Sequence, residues 1–147
     1  MVEPLVIPTQ LSGASSSLPA YAHAGDAGLD LRATQGCILE PFERMLIPTG
    51  LSIAIPEGYA GFIMPRSGLA LKHGFTLVNT PGLIDSNYRG ELKVIGINLD
   101  GKRSFTIQPN DRIAQLVIIA VEQASLMLRA ALSDTERGAG GFGSSGV

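Results

Sequence analysis

One cysteine, two histidines, no tryptophan and a charged fraction of only 16% set the first limits on this 147-residue chain. A single Cys37 excludes a disulfide framework within the chain, and His23 and His73 stand too far apart for zinc-ligand spacing. Cys37 reads most simply as a small buried hydrophobe. With Lys and Arg at 11 against 13 Asp and Glu, the net charge of -2 offers no basic surface for a nucleic-acid polymer or an acidic membrane. No apolar run reaches the roughly 18 residues of a membrane-spanning helix. The first ten residues carry Glu3 and no cationic cluster, so they give no sign of a signal peptide, and a cytoplasmic protein is expected. Heptads, long repeats and a domain linker are also missing.

What the chain does have is 45% hydrophobic residues, 18 glycines and nine prolines. That is apolar for a soluble chain and suggests surface buried between subunits. From Leu29 onward, short apolar pieces alternate with Gly, Pro and Asp turns. The pattern predicts strands at 36–39, 44–47, 51–55, 59–64, 76–78, 92–98, 104–107, 113–121 and 126–129. Leu51-Ser52-Ile53-Ala54-Ile55 has the period of two proper to a half-buried strand. Asp100-Gly101 reads as a hairpin turn, and Ser67 as the N-cap of one short helix at 68–73. The architecture expected is all-β, a sandwich or barrel with that single helix. Residues 1–136 form the β domain, and residues 137–147, rich in glycine, a mobile tail of the same unit.

Five segments stand out as carriers of chemistry. The first is Ala24-Gly25-Asp26-Ala27-Gly28-Leu29-Asp30-Leu31, where carboxylates among glycines suit either a hydrated divalent cation or a solvated turn. In the second, Pro65-Arg66-Ser67-Gly68-Leu69-Ala70, a guanidinium, a hydroxyl and the open N–H groups of a helix start suit a phosphate or simply cap the helix. The third runs from Asn79 through Pro81-Gly82-Leu83-Ile84-Asp85-Ser86-Asn87-Tyr88-Arg89-Gly90-Glu91. A carboxylate on such a constrained turn can take a proton from water and aim it, or can merely close a hairpin. The fourth is Asp111-Arg112-Ile113-Ala114-Gln115, where Gln115 interrupts an apolar run and needs a polar partner in protein or ligand. Arg112 beside Asp111 reads equally as a structural ion pair. The fifth is the tail, whose Arg137 and Phe142 suit a phosphate and a base, although Gly/Ser ends are commonly inert linkers.

Two motif matches fail. Gly96-Ile97-Asn98-Leu99-Asp100-Gly101-Lys102 has P-loop spacing, but Arg103 replaces the required Ser/Thr and a strand pattern follows, so a hairpin is expected there. Gly138-Ala139-Gly140 precedes no helix and no ribose-binding acid.

Taken in this order and spacing, from about residue 24 to the C-terminus, the five segments closely resemble those of the trimeric dUTP nucleotidohydrolases, or dUTPases. Ser145 stands where that family often has Thr, and Leu29 where it often has an aromatic; neither change removes a chemical group the reaction uses. The resemblance implies a jelly-roll-like β fold and a homotrimer with C-terminal tails exchanged. Each site would draw the first, second and fourth segments from one subunit, the third from another and the tail from the last. It implies conversion of dUTP and water to dUMP and pyrophosphate by attack at the α-phosphorus, keeping uracil out of DNA and supplying dUMP for dTTP synthesis. Asp85 would activate the water. Mg2+ would ride on the triphosphate, with Asp30 supporting it through water. Arg66, Ser67, Gly68, Gln115, Arg137 and Ser144 would hold phosphate oxygens. Asn79, Gly82, Leu83, Ile84 and Tyr88 would receive uracil and deoxyribose, and Phe142 would stack on the base. Phosphoryl transfer asks a protein mainly for positioning and charge stabilisation, which these residue types supply. The rival readings are a dCTP deaminase, which shares the fold, and a nucleotide-binding module without activity.

Overall fold

The computed structural model describes residues 3–13, 17–144 and 146. Ten strands and one helix follow in the order β1 Thr9–Leu11, β2 Leu29–Arg32, β3 Cys37–Leu39, β4 Arg44–Ile53, β5 Tyr59–Met64, α1 Ser67–His73, β6 Phe75–Leu77, β7 Gly82–Ile84, β8 Leu92–Asn98, β9 Phe105–Ile107 and β10 Arg112–Ala120. They pair antiparallel into two four-stranded sheets, β1-β4-β8-β6 and β2-β10-β5-β7, and a two-stranded ribbon of β3 and β9. The fold is the expected all-β, jelly-roll-like sandwich with one short helix. The inward positions of both sheets merge into a single apolar cluster that includes Leu31, Ile47, Ile63, Phe75, Val94, Ile107, Ile113 and Leu116. Burying each such side chain stabilises the fold by roughly 1.5–3 kcal/mol.

Strand positions follow the sequence pattern where a short apolar run lies between turn residues. β5 and β8 occupy the expected 59–64 and 92–98, and β3, β6, β9 and β10 begin or end within one residue of expectation. The expected pair 44–47 and 51–55 is one strand, β4, carried across Pro48 by a bulge. A proline cannot donate to a ladder, and here it sits where pairing with β8 lapses. β1, β2 and β7 were not expected, because their three or four residues lie among Gly, Pro and polar residues that read as turns. The expected strand at 126–129 does not form: the segment pairs with none of the described strands, and Leu126 and Leu128 are almost fully exposed.

Two expected hairpins are crossovers. β8 and β9 lie in different sheets, so Asp100-Gly101 carries the chain from one to the other, and the same holds for Asn79 to Gly82 between β6 and β7, across a cis Thr80–Pro81 peptide. The helix begins at Ser67 itself. Arg66 is the N-cap residue and no side chain caps the end, which corrects the reading of Ser67 as the cap. Gly74 closes the helix in the left-handed conformation, φ 66°, with its N–H on the Ala70 carbonyl.

The Asp100 crossover is held from below by Asn98, which is fully buried. Its amide donates to the carbonyls of Leu39 (3.1 Å) and Arg103 (2.8 Å), and its Oδ1 accepts from the Asp100 N–H (2.9 Å). Backbone N–H groups of Lys102, then Arg103, in turn hold the Asp100 carboxyl below its ordinary value. Asn98→Ala takes this amide away from a buried carbonyl, that of Leu39, and from two part-buried backbone groups, the Arg103 carbonyl and the Asp100 N–H. It is expected to lower unfolding stability by about 2–4 kcal/mol, read as a fall in the denaturant midpoint.

Candidate active site

The phosphate-type residues converge because β10 lies between β2 and β5. Gln115 of β10 stands opposite Asp30 on one side and Met64 on the other. Pro65 and Arg66 follow Met64 directly, so three sequence-distant segments meet at one end of this sheet. Asp30 is bracketed by two guanidiniums: its Oδ1 lies 3.3 Å from Arg66 Nε, and its Oδ2 accepts from Arg112 Nη1 at 3.3 Å. Arg66 also donates through Nη1 to the Arg112 carbonyl, 3.1 Å. Gln115 Nε2 donates to the Pro65 carbonyl, 3.0 Å. Asp30 and Arg66 are only partly buried, so solvent still screens these pairs and their chief effect here is to aim the two arginines.

These residues line a cleft of about 850 Å³, together with Ser67, Gly68, Lys72 and His73 of α1 and the turn at His23–Asp26. The Ser67 and Gly68 N–H groups begin the helix without a side-chain cap. A Cβ on Gly68 would meet no atom within 4 Å, so packing does not call for glycine there and the backbone stays open to a ligand. Gly28 is the opposite case. A Cβ there would strike Gln115 Oε1 and come 3.1 Å from its Cδ and 3.2 Å from its Cβ.

Asp85 and Tyr88 lie in a second cleft, of about 400 Å³, with Leu83, Ile84 and Lys93. β7 pairs with β5 and delivers Asp85 at its end, where the Tyr88 N–H closes a turn on the Asp85 carbonyl at 3.1 Å. Arg89 folds back, with Nη1 donating to the carbonyls of Ser86 (2.6 Å) and Tyr88 (2.9 Å). The Asp85 carboxylate itself is exposed and, among the described residues, is engaged in no ion pair. It is free to hold a water. Asn79 and Gly82 lie on the crossover outside this cleft, with Asn79 Nδ2 over Gly82.

The two clefts share no lining residue. The described residues of the tail join neither: Arg137 Nε donates to the Gly140 carbonyl in its own turn (2.9 Å), Ser144 donates its N–H to the Gly141 carbonyl, and Phe142 is completely exposed. Ser145 lies outside the described residues. One chain therefore brings the first, second and fourth segments together and leaves the third and fifth apart.

One reading needs correction, one pair of alternatives is decided and one residue is added. Asp111 makes no pair with Arg112; it accepts the Gln108 N–H (2.8 Å) while Arg112 turns to Asp30. Asp26 takes the plain role of its alternative, accepting the His23 N–H (2.8 Å) to close a turn. Arg112, which sequence reasoning kept out of the site, stands in the cleft. The signal was its position three residues before Gln115 on one strand, invisible until the β2 register is known. Cys37 is only half-buried, but burial first and then the Glu43 carboxylate push its thiol up, so it stays protonated and unreactive.

Among the described residues no three His, Cys, Asp or Glu side chains gather into a metal cluster. A magnesium ion carried mainly by phosphate oxygens and water does not need one. Of the two carboxylates at the cleft, Asp26 closes its own turn, and Asp30 fits that demand through a water.

A family model for dUTPase matches residues 14–146. The deoxyuridine 5'-triphosphate nucleotidohydrolase of Streptomyces avermitilis is 56% identical over 129 residues, 88% of this chain and 74% of that protein. The enzyme of the same description from Leifsonia xyli is 54% identical over 88% of this chain and 85% of its own. Among solved structures, the dUTPase of Staphylococcus bacteriophage 80alpha with dUpNHpp superposes with a TM-score of 0.88 at 31% identity, covering 97% of this chain and 99% of that one. A mutant dUTPase from phage phi11 of S. aureus, whose structure shows the coordination of a structural Mg(II) ion, gives 0.81 at 26% identity over 88% of this chain and 100% of its own. Fold and site thus define a nucleotide hydrolase of jelly-roll type. The chain belongs to the dUTPase family, and it is an enzyme.

Gly28→Ala is expected to push Gln115 off the Pro65 carbonyl and so loosen the first segment against the second. KM for dUTP should rise about tenfold with the melting temperature shifted by only a few degrees, since one hydrogen bond of ~1 kcal/mol is lost. Steady-state kinetics beside a thermal melt checks both.

Proposed function

We propose that the chain hydrolyses dUTP to dUMP and pyrophosphate at a site assembled from three subunits of a homotrimer, by water attack on the α-phosphorus. The observation that carries this reading is the separation just described: a complete phosphate seat and an open carboxylate lie in clefts of one chain that do not meet. A neighbouring copy that sets its Asp85 cleft against the Arg66–Gln115 cleft completes both. The apolar stretch around Leu126, Met127, Leu128 and Leu132, exposed by 72–97%, supports association, because a soluble single chain rarely leaves such a run uncovered.

In this mechanism Asp85 accepts a proton from the attacking water and orients it in line with the leaving pyrophosphate. Arg66, with Ser67, Gly68 and Gln115, fixes the phosphate oxygens, and Arg66 is itself held in place by Asp30. Mg2+, when bound, neutralises charge on the triphosphate oxygens, with Asp30 reaching it through water. The tail, residues 137–147, folds over the bound nucleotide, Arg137 and Ser144 to phosphate and Phe142 to the uracil ring. The crossover from Asn79 to Ile84 meets the edge of uracil, where a cytosine would leave polar groups unpaired. Tyr88 packs on the deoxyribose and excludes a 2′-hydroxyl. The product dUMP then serves dTTP synthesis, and removal of dUTP keeps uracil out of DNA.

Asp85→Asn keeps the shape of the side chain but cannot take the proton. Its kcat for dUTP should fall by about 10²–10⁴ while a non-hydrolysable analogue still binds; near-normal turnover would remove Asp85 from the mechanism.

The shared site is tested by mixing an Asp85→Asn chain with a chain truncated after Glu136, each nearly inactive alone. At equal mixing about three-quarters of trimers are mixed and each holds one intact site, so activity should return to ~25% of wild type. Mixed trimers seen by mass spectrometry with no recovered activity would exclude a site that takes Asp85 and the tail from different subunits.

A further inference from the structure

Tyr88 is 43% exposed, yet its ring has one place to lie. Its hydroxyl donates to the Glu91 carbonyl at 3.0 Å. Underneath it is Gly90. A Cβ on Gly90 would come 2.6 Å from Tyr88 Cζ, 3.0 Å from Cε2 and closer still to the phenolic oxygen. Gly90 is not among the glycines of positive φ, so the turn itself does not require it; the ring does. Glu91 is fixed in turn. Its Oε1 accepts the Gly50 N–H, left free at the β4 bulge, at 2.8 Å, and its Oε2 lies 3.7 Å from Lys93 Nζ. The pose of an exposed ring is thus set by the backbone of two residues anchored to a buried part of β4.

We propose that Gly90 is a positioning residue for sugar selection: having no side chain, it lets Tyr88 lie against the loop with its hydroxyl on Glu91, and this pose sets the wall facing the 2′ carbon. The inference rests on the reading that Tyr88 packs on the deoxyribose. A side chain at 90 tilts the ring outward, and because the ring is exposed it moves without unfolding the loop. The wall then retreats from the sugar and a ribonucleotide fits. The Tyr88 hydroxyl is occupied by the loop and is not available to substrate.

The test compares kcat/KM for dUTP and UTP, with Mg2+, in the full-length wild type, Gly90→Ala, Tyr88→Phe, Tyr88→Ala and the double variant Gly90→Ala/Tyr88→Ala. Gly90→Ala should lower the dUTP:UTP ratio about tenfold, chiefly by raising the UTP value, since a wall against one added hydroxyl discriminates by about 10–100-fold. Tyr88→Phe, which loses the anchor but adds no atom, should lower it about threefold. In the Tyr88→Ala background, Gly90→Ala should change the ratio by less than about twofold, because its effect passes through the ring. A wild-type ratio in folded Gly90→Ala overturns the inference, as does an equal drop with and without Tyr88. If Gly90→Ala does not fold, Tyr88→Phe decides: a wild-type ratio there overturns the clamp. A wild-type ratio in Tyr88→Ala overturns the sugar reading itself, and the inference with it, whereas a loss there with none in Gly90→Ala refutes only the role of Gly90.

Discussion

The antiparallel ladder that seats β10 between β2 and β5 is the constraint on which the phosphate side depends. Because Gln115 faces Asp30 and Met64 across adjacent strands, residues 30, 66 and 115 meet within one patch although the chain between them is long. Backbone hydrogen bonds fix that alignment before any side chain contributes. The Asp30 carboxylate then divides its two oxygens between Arg66 and Arg112 and keeps both guanidiniums pointing into the cleft. Neither pair is worth much as stability; each removes rotamer freedom that a ligand would otherwise have to freeze. Glycine at 28 completes the arrangement by giving the Gln115 side chain a place to lie.

The Asp85 side follows a different logic. It is a loop rather than a ladder, and its order comes from side chains that satisfy main-chain groups: Arg89 on two carbonyls, Tyr88 on a third, Glu91 on the Gly50 N–H. The Asp85 carboxylate stays out of that network, as a proton acceptor must if water is to reach it.

What the sequence made legible was whatever repeats or clusters locally. Strands such as β5 and β8 declared themselves as apolar runs bounded by turn residues, and the five chemistry-bearing segments by residue type and spacing. β1 and β7 lie among Pro, Gly and polar residues, where turn chemistry hides a strand of three residues. Asp100-Gly101 and the stretch from Asn79 to Gly82 have turn chemistry, but a turn residue does not say whether the chain returns to the same sheet or crosses to the other. Arg112 illustrates the same gap at the site: Asp111 is next to it in sequence, while its partner Asp30 is 82 residues away and next to it only through strand register. At 126–129 the short apolar run Leu126-Met127-Leu128 carries a strand signal, yet it pairs with no strand of the same chain among the described residues and stays exposed.

The bulge in β4 has a consequence for how this chain tolerates change in length. Pro48 and Leu51 are three residues apart, but their partners on β8, Lys93 and Leu92, are adjacent, so β4 carries two surplus residues. Two is an even number, and Ile47, Thr49, Leu51 and Ile53 therefore all keep facing inward on either side of the irregularity. Parity, more than length, is what this strand conserves. Loss of one residue here would turn Leu51 and Ile53 out of the core, while loss of the pair Thr49-Gly50 would leave the remaining faces as they are, at the cost of the Gly50 N–H to which the Glu91 carboxylate is tied and of the buried Thr49 hydroxyl that bridges the Leu92 carbonyl and the Leu51 N–H.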